Sequence, residues 1–341
     1  LDIPNLKKQL QTASPAMVYT VIGTQMELQE EAKQAFLDLI PEEERVMNVA
    51  SYDLEATPLD DALADAMSAP FFGERRLVFL NKPSFLTGAT SRGAIKQDPD
   101  LLKEYLGYPE PTTMLVILAP YEKLDGRKGV VKSLKKVAVE VSAAPLDEGQ
   151  ARHLVEERFH KDGFTLQNGM MDELVRRTNA DYGQMMSHVQ QLETYAYPED
   201  TITDEAVQGL VPQSLDENVF DLVQAVLDQQ QVLALQDYQQ LLSSKQQQLQ
   251  INAVLVSQFR LLLQVKILSQ RGLSQATITQ QLKVHPYRAQ LAQKTVQRYD
   301  FATLSQAYQG LIQIERELKT TSLSPELLFQ LFMLRFSKQV G

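Results

Sequence analysis

The chain of 341 residues carries 33 Lys and Arg against 43 Asp and Glu, a net charge of −10 with a pI of about 5.1; this excludes a broadly basic nucleic-acid binder acting through bulk charge, while leaving room for a local basic stripe. At roughly 150 residues per domain the length makes about two domains or three smaller ones, and apolar and charged shares of 44% and 22% are those of a chain that buries a core. No cysteine occurs, which excludes disulfides, thiolate metal sites, Fe–S clusters and a cysteine nucleophile, and fits a cytoplasmic location.

The opening residues, Leu1 to Leu10, lack both an apolar signal core and an initiator Met, and no run approaches 18 consecutive apolar residues. The expectation is a soluble intracellular chain, trimmed at its start, with no membrane partner. Met17–Ile22 is an apolar run ending at Gly23, and Gln25 to Leu39 follows in helical period. Arg45–Ala50 reads as a weaker strand and Pro58–Ser68 as a helix, with Asp60 and Asp61 suited to its first turn. Arg75–Leu80 and Met114–Ala119 are strong strands, and Val137–Val141 closes the series. Near-continuous apolar strands separated by helical stretches predict parallel βαβ units in a sheet covered on both faces.

After Pro145 the strand signal disappears. Asp147–Phe159, Asn168–Thr178, Tyr182–Tyr195 and Thr203–Leu210 read as helices, with Gly163 and Thr203 at cap positions. Pro212 and Ser214 mark a boundary, beyond which everything is helical. The segments are Val219–Leu227, Val232–Leu242, Leu249–Leu268, Ser274–Leu282, Pro286–Tyr299, Phe301–Leu318 and Pro325–Phe336, with Pro286 and Pro325 at starts where a missing N–H costs nothing. The 24 glutamines between residues 213 and 313 alternate with periodic Leu and Val, so they read as solvated helix surface. Three domains follow: 1–143 α/β, 144–212 small and helical, 213–341 all-α.

An α/β domain with a small helical neighbour prompts a search for a nucleotide site. A phosphate loop needs glycine amides, a lysine and a hydroxyl after the first strand. Here Gly23-Thr24-Gln25-Met26-Glu27 supplies one glycine and no lysine, and two acids, Glu27 and Glu30, stand where phosphate would approach. Gly88 and Gly93 have the glycine spacing, but Ala94-Ile95 follows in place of Lys-Ser/Thr. The strands ending at Leu80 and Ala119 lead into Asn81-Lys82 and Pro120, neither able to hold a magnesium ion. The four histidines, His153, His160, His188 and His285, include no i, i+4 pair, although His153 and His160 can share a helix face. Glu42-Glu43-Glu44 is a run of adjacent acids rather than an opposed pair. No catalytic residue, cofactor site or metal site is assigned.

One turn stands out. Met67-Ser68-Ala69-Pro70-Phe71-Phe72-Gly73 places two phenylalanines between a helix and a strand, where connections favour polar residues. Two aromatics there are either folded back into the core or exposed as an anchor for a partner.

Taken with the strand-Gly23 start, the turn-strand Pro70-Phe71-Phe72-Gly73-Glu74-Arg75-Arg76-Leu77-Val78 resembles the delta subunits of the bacterial DNA polymerase III clamp loader. The same order continues in Asn218–Val226, Gln258–Lys266, Val284-His285-Pro286-Tyr287 and Glu315–Thr320 before Pro325–Leu328, so the resemblance spans the whole chain. It implies a non-hydrolysing AAA+-like subunit: a RecA-like parallel sheet that grips the beta sliding clamp, a helical lid and a helical collar. The collar would join the ATP-binding tau/gamma and delta-prime subunits on primed DNA. Such a subunit is non-catalytic by itself, within a nucleotidyltransferase holoenzyme. The clamp-binding pair of the family falls on Phe71 and Phe72, with Met67 in support. No aromatic stands near Lys319–Ser324, where some members touch DNA, so DNA contacts are unassigned. A degenerate-site P-loop ATPase and a helical DNA-binding adaptor are the alternatives.

Overall fold

The apolar runs of the first unit, Leu1–Leu146, become strands of one parallel sheet whose two faces are both covered by helices. The computed structural model describes residues 1–11, 15–71, 73–88, 95–213, 215–243 and 247–340. In chain order the unit runs α1 (Ile3–Leu10), β1 (Val18–Ile22), α2 (Met26–Leu37), α3 (Glu42–Asn48), β2 (Val49–Asp53), α4 (Leu59–Ala66), β3 (Arg76–Asn81), α5 (Pro99–Gly107), β4 (Thr113–Ala119), α6 (Gly129–Val137) and β5 (Val139–Ser142). Among the described residues the strand order is β2-β3-β4-β1-β5, every pairing parallel. This is the parallel α/β arrangement expected from the sequence.

Side chains alternate across the strands. Val78, Leu80, Leu115 and Ile117 join a core with Leu63 of α4, Leu102 of α5 and Val131 of α6. The opposite row includes Tyr19, whose ring meets Phe36 of α2 edge-on at 4.8 Å. Every residue of β4 is buried, as a central strand of two-faced cover requires.

The sequence expectation of a strand at Arg45–Ala50 is corrected. Residues 42–48 form α3, and the strand begins at Val49. Three acids in the first turn, Glu42, Glu43 and Glu44, favour the positive helix end, and the Arg45 Nε–H donates to the Ile40 carbonyl at 3.0 Å. Those local terms outweigh the strand-like Val46-Met47 pair.

The second unit, Asp147–Gly341, begins with α7 (Glu148–Lys161), β6 (Thr165–Leu166), α8 (Met170–Thr178), α9 (Tyr182–Ala196), β7 (Thr201–Ile202) and α10 (Asp204–Leu210). Asp147 and Gln150 close a reciprocal capping box on α7, and Thr203 caps α10. The helical expectation for this stretch is corrected by the parallel pairing of β6 with β7, Thr165 opposite Thr201. Two-residue strands are too short to leave an alternating pattern.

The remaining helices are α11 (Leu215–Leu227), α12 (Gln231–Ser243), α13 (Gln248–Gln270), α14 (Gln275–Leu282), α15 (Pro286–Arg298), α16 (Phe301–Thr320) and α17 (Pro325–Val340). Helix α13 is long and apolar enough to cross a membrane by length and composition. Its Leu255, Phe259, Leu262 and Val265 instead lie in one buried cluster with Leu304, Leu311, Phe329 and Phe332. Of the glutamines between 213 and 313 among the described residues, Gln258 is buried and the others are exposed or half-buried, most of them on helix surfaces.

Candidate functional site

In open α/β sheets, ligands bind beyond the carboxyl ends of the strands where the strand order reverses. Here that place lies beyond β1 and β4, where several backbone groups are bonded within the fold. Gly23 at φ +148° donates its amide to the Ala119 carbonyl at 3.2 Å, and Gln25 N–H donates to Ala143 at 2.9 Å. A Cβ on Gly23 would stand 1.9 Å from the Ala143 carbonyl carbon, so glycine is required by close approach. Gln29 of α2 is buried, and its Nε2 donates to the carbonyls of Val21 at 3.2 Å, Gly23 at 3.0 Å and Ala119 at 3.2 Å. The amides of Gly23 and Gln25 are thus already bonded within the fold.

The other strand end is equally occupied. The Asn81 Nδ2 donates to the Tyr52 carbonyl at 3.0 Å, and Lys82 pairs with Asp53 at 2.7 Å, holding that carboxyl below the usual carboxylate range. A cleft of about 860 Å³ opens nearby, with Thr24, Glu55, Tyr121, Asp125 and Arg127 in its wall. There Arg127 holds Asp125 at 2.9 Å and brings its pKa down to about 2. The adjacent Gly88–Gly93 spacing falls largely on residues 89–94, outside the described residues. Among the described residues no three His, Asp or Glu side chains are grouped to hold a metal. His153 is a surface residue, 3.5 Å from Glu157.

The Met67–Gly73 turn presents different chemistry. Helix α4 buries Leu59, Ala62, Leu63 and Ala66 against the sheet, and Asp60 and Asp61 occupy its first turn as the sequence predicts. It ends at Met67, whose N–H donates to the Leu63 carbonyl at 2.9 Å. The Met67 side chain is 61% exposed and that of Phe71 is 63% exposed. Of the two sequence alternatives, core or exposed, Phe71 takes the exposed one. Phe72 lies outside the described residues.

Hydrogen bonds beneath the turn come from α3. The register of β2 on β3 sets Val49 opposite Leu77, which brings the end of α3 beside the start of β3. Asn48, fully buried, accepts the Phe71 N–H on Oδ1 at 2.8 Å and donates from Nδ2 to Glu44 Oε2 at 3.5 Å. Gly73 follows at φ +73°, and a Cβ there would stand 2.2 Å from Glu44 Oε2. Arg76 pairs with Asp65 of α4 and donates from Nη1 to the Met47 carbonyl at 3.2 Å. Four exposed apolar residues therefore lie on segments tied together: Val46, Met47, Met67 and Phe71. Val46 and Met47 were missed by sequence reasoning because a strand reading alternates its side chains, whereas a helix leaves both on the outside.

Two family models match the chain: residues 19–144 match DNA polymerase III, delta subunit, and residues 216–336 match DNA polymerase III delta subunit, C-terminal domain. The DNA polymerase III subunit delta of Bacillus subtilis (strain 168) is 33% identical over 333 residues, covering 97% of this chain and 96% of that one. The solved structure of the Bacillus subtilis DNA clamp loader delta protein matches at a TM-score of 0.75 and 32% identity, covering 98% of this chain and 99% of that chain.

Proposed function

The chain belongs to the DNA polymerase III delta subunit family, the clamp-loader deltas of DNA replication, and from that premise we propose that it grips the beta sliding clamp through the exposed turn at Phe71. Phe71 and Phe72 form the wedge, with Met67 beside them and Val46 and Met47 extending the apolar surface. The observation that carries this reading is Phe71 itself, a large apolar side chain 63% exposed on a turn whose backbone is tied to a buried residue.

The physics of the wedge is differential binding. An apolar wedge stabilises whichever clamp conformation fits it best, so binding is coupled to opening of one ring interface. Fully burying two Phe side chains supplies on the order of 3–6 kcal/mol before association costs. That suffices to shift a ring interface already under strain. ATP control then comes from neighbouring subunits, since the Gly23 turn carries no phosphate-loop lysine.

In the same reading residues 144–212 are a lid and residues 213–341 a collar that assembles with the tau/gamma and delta-prime subunits on primed DNA, in the cytoplasm. Co-purification with the cognate clamp tests the proposal: the full chain should retain the clamp, and the Phe71→Ala, Phe72→Ala double variant should not. Equal retention by both would refute it.

A further inference from the structure

We propose that α3 is the positioning element of the wedge, with Asn48 the residue that fixes Phe71 outward before any partner arrives. This rests on the reading of Phe71 as a clamp contact. A buried side-chain amide is costly unless it is bonded, and Asn48 gives its oxygen to one loop amide 23 positions along the chain, that of Phe71, at 2.8 Å. Loop backbone is ordinarily satisfied by water. An internal acceptor replaces that water and fixes the amide's direction, which in turn fixes where the Phe71 side chain leaves the surface.

Glu44 supplies the second constraint. It lies four positions before Asn48, on the same face of α3, and its carboxylate occupies the space next to Gly73 that any Cβ would need. The pair meets the turn from α3, Asn48 at the Phe71 amide and Glu44 beside Gly73. Arg76 completes the frame by holding both the Met47 carbonyl and Asp65. A turn whose Phe71 amide is bonded inside the protein is ordered there by folding, so that part of its conformational entropy is not lost again on binding.

Amide hydrogen exchange and clamp titration on the full chain test this. In the unsubstituted chain the Phe71 amide should be protected, and an unprotected amide overturns the proposal whether or not any variant folds. Asn48→Ala should speed Phe71 exchange and weaken clamp binding by about tenfold, while Asn48→Asp combined with Glu44→Gln, which keeps the acceptor for Phe71 and sets an amide in place of the facing carboxylate, should retain most of both. In a Phe71→Ala background Asn48→Ala should cost no further affinity, because the side chain it positions is gone. A folded Asn48→Ala chain with unchanged clamp affinity, beside a Phe71→Ala chain that binds weakly, overturns the positioning role and leaves the wedge intact. Unchanged binding by Phe71→Ala overturns both.

Discussion

Asn48 is fully buried and accepts the Phe71 N–H at 2.8 Å, while the Phe71 side chain remains 63% exposed. One residue is thus held by its backbone while its ring stays largely exposed. A core phenylalanine would reverse that arrangement, with the ring packed and the backbone following. The division suits a recognition element, because apolar surface stays available while the chain that carries it is ordered.

Gly73 makes the neighbouring constraint testable. At φ +73° an alanine is strained by about 1–2 kcal/mol, and its Cβ also displaces the Glu44 carboxylate. Gly73→Ala should lower the melting temperature and weaken clamp binding together. Adding Glu44→Ala should recover part of the loss by opening the space. Calorimetric melting of the three chains checks this, and an unchanged midpoint for Gly73→Ala would contradict the geometry.

Gln29 offers a prediction about the closed strand ends. Gln29→Leu removes the donor from three buried carbonyls and should destabilise the chain by about 1–3 kcal/mol. Chemical denaturation reads the change. Equilibrium dialysis of the unsubstituted chain with labelled ATP should find no saturable micromolar binding; Mg²⁺-stimulated binding in that range would mean the strand ends open.

The junction of α8 and α11 predicts a pH dependence. Arg176 reaches Glu217 at 2.6 Å, yet burial dominates and pushes the Glu217 carboxyl from 4.5 up to about 7. The folded chain therefore holds a proton that the unfolded chain releases, and stability falls as pH rises from about 4.5 to 7. Glu173 acts oppositely: hydrogen bonds from Arg176 and Arg177 hold it down to about 2, so its contribution is present above 4.5 and is lost as pH falls toward 2. Glu217→Gln should flatten the upper slope, worth on the order of 2–3 kcal/mol, and leave the lower one. Melting curves from pH 3 to pH 8 on both chains decide it; parallel curves above pH 4.5 would contradict the assignment.

What was legible in the sequence follows from where each structure's cause lies. Strands β1, β3 and β4 announce themselves because a sheet buried on both faces demands near-continuous apolar runs, as in Met114–Ala119, whereas the edge strand β5 alternates Val139 and Val141 with exposed Glu140 and Ser142. Helix α3 was hidden because Val46-Met47 resembles a strand when the Pro41–Glu44 start signal is underweighted. Phe71 could not be placed from local sequence, since Pro70 and Gly73 permit the ring to face either way, and Asn48, far back in the chain, supplies the tie beneath it. Gln29 is the clearest case of a cause beyond reach: glutamine on a helix reads as surface, and only the meeting of β1, β4 and α2 makes it a buried donor to three carbonyls.

The most direct measurement is clamp titration and calorimetric melting on the same Phe71→Ala chain. An exposed side chain contributes little to folding, so the midpoint should move by no more than about ±0.5 kcal/mol in stability. Clamp affinity should fall by about 10–100-fold, the equivalent of burying one Phe at roughly 1.5–3 kcal/mol. The opposite pattern, a stability loss of about 3–5 kcal/mol with affinity preserved in the folded fraction, would return Phe71 to the core and contradict the wedge.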